Sequence, residues 1–238
     1  MKQNKFIWAD LSSYHPEKTK RFYEKIFGWK YYYSYSYYTA YKGTKEVVGL
    51  YETPEKFQQM KMPSFWMSYI QVESVSETVE KARALGGIIE LVDLENPIGG
   101  VALIRDTLGA GFTVYEGSSL HSRTVSEENT LIYNELQVSD VQKVVEFYQE
   151  LFDWSFDWLD NFSVDVYCNS SEEKVASIHQ LDSSIRGKYE YWVCTFGVKD
   201  LQKSVDKVKK NNGIIVFNEG NRVMCSDGSE AFFYIQQV

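Results

Sequence analysis

The feature that most constrains this chain is that it repeats itself. Phe22-Tyr23-Glu24-Lys25-Ile26-Phe27-Gly28-Trp29 returns as Phe147-Tyr148-Gln149-Glu150-Leu151-Phe152-Asp153-Trp154, an offset of 125 (147 minus 22). The same offset carries Asp10-Leu11 onto Glu135-Leu136, and the apolar run beginning at Phe6 onto the one beginning at Leu131. Phe65-Trp66 falls on Tyr191-Trp192 at an offset of 126. Self-similarity at this period marks a duplicated structural unit. A polar stretch, 118–130, holds Ser118, Ser119, Ser126, Glu127, Glu128 and Asn129 without hydrophobic periodicity. It reads as a linker between a first module, 1–117, and a second, 131–238.

Each module is itself doubled, and all four quarters share one grammar of strand, helix, then two or three strands. The leading strands are expected over 6–11, 65–72, 131–138 and 191–198, and the helices over 16–27, 75–85, 141–152 and 201–210. Phe22, Tyr23, Ile26 and Phe27 form one helical stripe, and Val144, Val145, Tyr148, Leu151 and Phe152 form another. Pro16 suits a first helical turn, and Ser74 and Ser139/Asp140 suit N-caps. Gly86-Gly87 and Asn212-Gly213 suit left-handed helix ends. Lys42-Gly43-Thr44-Lys45 reads as a hairpin turn. The fold class expected is α+β: four βαβββ-type units in tandem, with mixed sheets curled into half-barrel cups and helices outside.

Composition narrows the partners. The 238 residues carry a formal net charge of −8, which argues against a nucleic-acid or anionic-membrane surface. No apolar run approaches the roughly 20 residues that span a bilayer. Met1-Lys2-Gln3-Asn4-Lys5 does not lead into a signal sequence, so a cytoplasmic protein is expected. Cys168, Cys194 and Cys225 lack metal or redox spacing and read as small buried apolar residues. Aromatic residues make up 16%, many of them in the stretch from Trp29 to Tyr38. A turn near Ser34–Ser36 would break that run into strands whose tyrosines either line a cup or pack elsewhere.

The strand, the helix carrying Phe-Tyr-x-x-[Ile/Leu]-Phe-Gly-Trp, the Gly-Gly helix end and Asp106-Thr107-Leu108-Gly109 together resemble the vicinal-oxygen-chelate superfamily. That superfamily contains glyoxalases, bleomycin-resistance proteins and extradiol dioxygenases. Met224-Cys225-Ser226-Asp227-Gly228 resembles a degenerate second copy of the Asp-x-x-Gly turn. The resemblance covers nearly the whole chain and is specific for fold more than for chemistry. It implies a metal held in the cup by His, Gln or Glu at four strand positions. Carried over by spacing, those positions are Trp8, Met67 and Thr113, with one near Gly49, in the first module. In the second they are Tyr133, Val193 and Phe232, with one near Ser177. None supplies the imidazole or carboxylate that a divalent metal with open sites needs. Of the three histidines, His15 lies at a helix start, His121 in the linker, and His179 in a strand opposite the place of Tyr51.

Strand alternation puts Asp10 on the face of Trp8, and Glu135 on the face of Tyr133. Each module would then hold one carboxylate in an aromatic-lined concavity, as a general base or as a structural acceptor. No phosphate-binding glycine loop or nucleophile elbow is present. Two readings follow. One is a protein that binds a small apolar or aromatic molecule through Trp8, Tyr51, Met67, Thr113, Tyr133, His179, Val193 and Phe232, with no cofactor. The other is a lyase, isomerase or dioxygenase using a non-standard divalent-metal site, or Asp10 and Glu135 as catalytic bases. Either a monomer with an internal pseudo-dimer or a homodimer is compatible with the duplication.

Overall fold

The computed structural model describes residues 4–120 and 125–238; His121 and the first three residues lie outside that range. The four quarters follow one another. The first holds β1 (Phe6–Ser13), α1 (Pro16–Phe27), β2 (Lys30–Ser34), β3 (Tyr37–Lys42), β4 (Lys45–Glu52) and the short α2 (Glu55–Gln59). The second holds β5 (Phe65–Gln71), α3 (Val75–Ala84), β6 (Ile88–Asp93), β7 (Gly100–Arg105) and β8 (Gly111–Glu116). The third holds β9 (Leu131–Val138), α4 (Val141–Phe152), β10 (Trp154–Trp158), β11 (Ser163–Cys168), β12 (Glu173–Gln180) and the short α5 (Ser183–Arg186). The fourth holds β13 (Tyr191–Val198), α6 (Leu201–Lys210), β14 (Ile214–Glu219), β15 (Arg222–Ser226) and β16 (Phe232–Gln237).

The strands form two eight-stranded mixed sheets, β2-β3-β4-β1-β5-β8-β7-β6 and β10-β11-β12-β9-β13-β16-β15-β14. In every quarter the leading strand pairs in parallel with the last strand of that quarter, and the successive strands after the helix pair antiparallel. This is the expected α+β grammar. Among the described residues no helix is long and apolar enough to cross a membrane.

The helix ends follow local chemistry. Ser74 accepts a hydrogen bond from the Glu77 N–H at 3.2 Å, and Asp140 and Asp200 cap α4 and α6 in the same way. Gly86 and Asn212 leave their helices at φ +87° and +65°, a left-handed region open to these two residue types. The tyrosine run breaks where expected: Tyr35 and Ser36 both take positive φ (49° and 62°), a two-residue turn between β2 and β3.

Contacts divide the described chain into two compact units, each built from one quarter of either half. Unit I contains 4–7, 68–120 and 134–193; unit II contains 8–67, 125–133 and 194–238. Each has its own apolar core, and the residues that betrayed the repeat sit at its centre. In unit I the Trp192 indole N–H donates to the Tyr148 hydroxyl (3.0 Å), which donates to Asp106 Oδ2 (2.9 Å). In unit II the chain is Trp66, Tyr23 (3.2 Å), Asp227 (3.3 Å). Burial pushes both aspartate carboxyls up, opposed by these hydrogen bonds. Tyr148 also stacks on Trp154 at 5.8 Å, as Tyr23 does on Trp29 at 5.9 Å. The indole N–H of Trp154 then reaches the Asn4 carbonyl (2.8 Å), and that of Trp29 the Asn129 carbonyl (2.7 Å). Asn4 and Asn129 are 125 residues apart and both have positive φ, so the repeat extends into the end of the linker. The three cysteines are buried, as expected.

Candidate functional site

Along β1, Ala9 and Leu11 enter the unit II core, so Trp8, Asp10 and Ser12 take the opposite face. Trp8, Met67 and Val193 are as buried as core residues (1, 7 and 0% exposed) yet belong to neither core. Trp8 and Asp10, expected on one face of their strand, share this second face with Ser12.

In unit II the face is organised around Asp10. The Trp8 indole N–H donates to Asp10 Oδ1 at 2.6 Å, and the Tyr37 hydroxyl donates to the same oxygen. Trp8 Nε1 also lies 3.2 Å from the Tyr37 hydroxyl. Asp10 is 3% exposed, so these are charge-assisted bonds in a poorly solvated place, each contributing roughly 1.5–3 kcal/mol. Opposite Asp10 on β4 stands Gly49. A Cβ at that position would lie 1.7 Å from the Tyr37 hydroxyl and 2.1 Å from Asp10 Oδ1, so only glycine lets the carboxylate and phenol meet. One step along, Ser12 faces Tyr51, whose ring runs nearly parallel to that of Tyr37 (10° between planes, centroids 6.5 Å apart). Burial, and then the Asp10 charge, push the Tyr51 phenol well above its ordinary range. Tyr133 and Phe232 are half-buried strand residues of the same unit. Thr195 of β13 is fully buried there, and its hydroxyl has no hydrogen-bond partner among the described residues.

In unit I the counterpart is built around Glu135, 1% exposed. Gln137 donates to Glu135 Oε1 at 3.0 Å, and His179 Nε2 stands 3.5 Å from Oε2. The imidazole is bracketed by two hydroxyls, Ser177 Oγ at 3.0 Å from Nε2 and Ser163 Oγ at 3.1 Å from Nδ1. Burial is the main cause that pushes the Tyr191 phenol up, with Arg186 opposing and the Glu135 charge adding to it. Thr113, nearly buried on β8, pairs with Tyr69 on β5. Chemically, Asp10 is a fixed acceptor among aromatic donors. Glu135 and His179 form a carboxylate–imidazole pair in which the ring is a quarter exposed.

Sequence reading brought Trp8, Asp10, Tyr51, Glu135 and His179 forward and left Tyr37 among tyrosines that line a cup or pack elsewhere; it did not single out Gln137, Ser163 or Tyr191. Tyr37 could have been found by continuing the alternation of β3 from the turn at Tyr35 and Ser36 to its register opposite Tyr51. At the positions where the resemblance implies metal ligands stand Trp8, Gly49, Met67 and Thr113, and Tyr133, Ser177, Val193 and Phe232. Among the described residues no three His, Cys, Asp or Glu side chains come together as a metal-holding group.

A family model described as the Glyoxalase/Bleomycin resistance protein/Dioxygenase superfamily matches residues 6–110 and 130–232. No curated protein matches the sequence. Among solved structures, the Mn(II)-bound glyoxalase from Novosphingobium aromaticivorans superposes with a TM-score of 0.69 at 14% identity, covering 99% of this chain and 82% of its own. A variant of homoprotocatechuate 2,3-dioxygenase from B. fuscum, solved in complex with HPCA, gives 0.70 at 13% identity, covering 98% and 71%. The 2,3-dioxygenase LapB from Pseudomonas sp. KL28 gives 0.70 at 10% identity, covering 100% and 93%. At these identities the likeness is one of fold.

Proposed function

The chain belongs to the Glyoxalase/Bleomycin resistance protein/Dioxygenase superfamily, and from that premise we propose that it binds a small planar aromatic molecule, without the family's divalent metal. The observation that carries this reading is the Trp8–Asp10–Tyr37 cluster packed over Gly49. Where the resemblance puts an imidazole or carboxylate ligand, this chain has an indole, a glycine, a thioether and a hydroxyl. These residues do not fit a divalent metal with open coordination sites. They do fit a flat ligand that lies against indole and phenol rings and donates a hydrogen bond to a fixed carboxylate.

Phenols and catechols meet that description, and the dioxygenase of like fold was solved with HPCA. The test is calorimetric titration of the whole protein with a panel of phenols, catechols and larger planar aromatics. Micromolar binding by at least one class is expected, weakened at least about tenfold in Trp8→Ala, since each good aromatic contact contributes on the order of 1 kcal/mol and the indole also fixes Asp10. A panel with no binder would overturn the reading.

A second reading has its own observation. The Glu135–His179 pair, 3.5 Å apart and bracketed by Ser163 and Ser177, is an arrangement that can take up and pass a proton. On this reading the chain is a lyase- or isomerase-type enzyme, with Glu135 or Asp10 as the base. Glu135→Gln and Asp10→Asn would each lower the turnover of a converted substrate by at least about a hundredfold. Turnover unchanged in both removes the acid–base version.

A further inference from the structure

Unit II contains a cavity of about 560 Å³ that lies apart from the Asp10 cluster, within the usual range for a small-molecule site. Its wall comes from α1, the residue preceding β5, the end of α6 and the turn after β15. Four cations line it: Lys18, Arg21 and Lys25 from α1, and Lys210 from α6. The three on α1 are spaced i, i+3, i+7 and so share one helix face, where their like charges repel. All four are exposed. Among the described residues none of the three lysines forms an ion pair, and the nearby Glu17 pairs instead with Lys20 at 2.9 Å. Of the two acids on the wall, Asp227 is turned inward and occupied by Tyr23 and Ser229. Glu230 alone is exposed. Ser64, 1% exposed, also lines the cavity, and its hydroxyl has no hydrogen-bond partner. An unsatisfied buried hydroxyl beside unpaired cations, in a chain of net charge −8, needs an account.

The duplication supplies an internal control. In unit I the counterparts of Lys18, Arg21 and Lys25 are Lys143, Glu146 and Glu150, and that of Lys210 is Ala84. The counterpart of Ser64 is Glu190, which accepts from the Ser139 N–H at 2.8 Å and pairs with Arg186 at 3.2 Å. The wall positions held by Asn211 and Ser229 in unit II are Leu85 and Leu108 in unit I, both packed on the core. Thr107, in the place of Gly228, bonds across to the Lys143 carbonyl at 3.3 Å. At these positions one copy carries apolar side chains packed on its core and acidic charge, and the other carries polar side chains and basic charge.

We infer that this cavity is a second ligand site, for a compact phosphate-bearing anion, held by Lys18, Arg21, Lys25 and Lys210 with the Ser64 hydroxyl as a neutral donor. A phosphate group carries close to two negative charges and several acceptor oxygens, which suits four spread cations better than a single carboxylate does. The inference stands whatever binds at Asp10.

The experiment is calorimetric titration of the whole protein with pyrophosphate, orthophosphate and citrate at low ionic strength, where exposed charges are least screened. Pyrophosphate is expected to bind, and more tightly than citrate. Arg21→Glu/Lys25→Glu, which gives α1 the acidic residues of α4, should weaken it at least about tenfold by reversing two charges at the ligand. Ser64→Ala, a change of one atom, should weaken it about threefold or more. Lys143→Glu on the counterpart face should leave it unchanged. No binding of either phosphate species overturns the inference. So does equal binding by the wild type and either unit II variant, a matching loss in Lys143→Glu, or citrate binding as tightly as pyrophosphate.

Discussion

Asp10 and Glu135 stand in the same register of equivalent strands, and the residues around them on the same face differ. Asp10 faces Gly49 where Glu135 faces Ser177; Ser12 faces Tyr51 where Gln137 faces His179; and the third strand offers Tyr37 where it offers Ser163. One copy wraps its carboxylate in an indole and a phenol, and the other gives it an amide and an imidazole. The opposite faces behave differently. There the Trp–Tyr–Asp chain, the stacked second Trp and the Asn carbonyl are the same in both units. A duplicated backbone is held by its core, because an alternating strand cannot slip by one residue without turning its apolar face to water. Residues on the other face carry no such constraint, and ligand chemistry can diverge there.

The sharpest test of that contrast lies in the shared core. Asp106 accepts from the N–H groups of Leu108, Gly109 and Ala110 at 2.8–3.0 Å as well as from Tyr148. Asp106→Ala would strand several of these donors, and a loss of about 3–5 kcal/mol in unfolding free energy is expected. Asp227 makes fewer such bonds, to Ser229 and at 3.3 Å to Tyr23. Asp227→Ala should therefore cost less, about 2 kcal/mol. Urea denaturation of the two variants orders them. The reverse order would mean that the degenerate turn holds the fold and the regular one does not.

A middle-sized effect comes from exchanging what differs. Gly49→Ser places in the first copy the residue that the second copy has at Ser177. Its Cβ would meet the Tyr37 hydroxyl and Asp10, so a loss of about 1–3 kcal/mol and a displaced Tyr37 are expected. The reciprocal Ser177→Gly removes only a hydroxymethyl group beside His179 and adds chain entropy to the unfolded state, for about 1 kcal/mol. Equal costs, read from thermal or urea melts, would mean that the crowding at Gly49 relaxes and that the Asp10 cluster is less constrained than its geometry indicates.

The fold was legible because its signals were redundant. The two Phe-Tyr helices, the caps at Ser74 and Asp140, and the left-handed ends at Gly86 and Asn212 each spoke for the same grammar. The leading strands and helices fall within two residues of their expected bounds. What the Phe-Tyr motif does was not legible, since the hydroxyls of Tyr23 and Tyr148 find their aspartates in other quarters of the chain. The alternation rule placed Asp10 beside Trp8 and Glu135 beside Tyr133, but a rule about one strand says nothing of the next. Gln137, two residues past Glu135 on β9, lay within reach of that rule; Tyr37 and Ser163 enter through cross-strand register, which a hairpin turn or a bulge resets. The basic cavity was missed for a related reason: Lys18, Arg21 and Lys25 look like an ordinary solvated helix face until Lys210 and Ser64 are brought beside them.

The smallest expected effect isolates a feature that only the first copy has. Tyr38 donates to Glu17 Oε1 at 2.6 Å, and the corresponding positions in the second copy are Val164, a core residue, and Gln142. This hydrogen bond, ahead of desolvation, pushes the Tyr38 phenol up to about 12 and holds the Glu17 carboxyl below its ordinary range. The sign at high pH follows from proton binding. Between the ordinary phenol value and about 12 the folded state keeps a proton that the unfolded state has lost, so stability falls as pH rises through that interval and is unaffected below it. For Glu17 the sense is opposite: its contribution is present above the ordinary carboxyl range and fades as pH falls through the depressed folded value. Both groups are largely solvated, so the energy is small, and the observable to follow is the titration itself. Ultraviolet difference titration of Glu17→Gln against wild type should show one phenol moving to lower pH, with the melting temperature near neutrality almost unchanged. A wild-type curve already lacking that late phenol would mean that the Glu17–Tyr38 contact does not persist in solution.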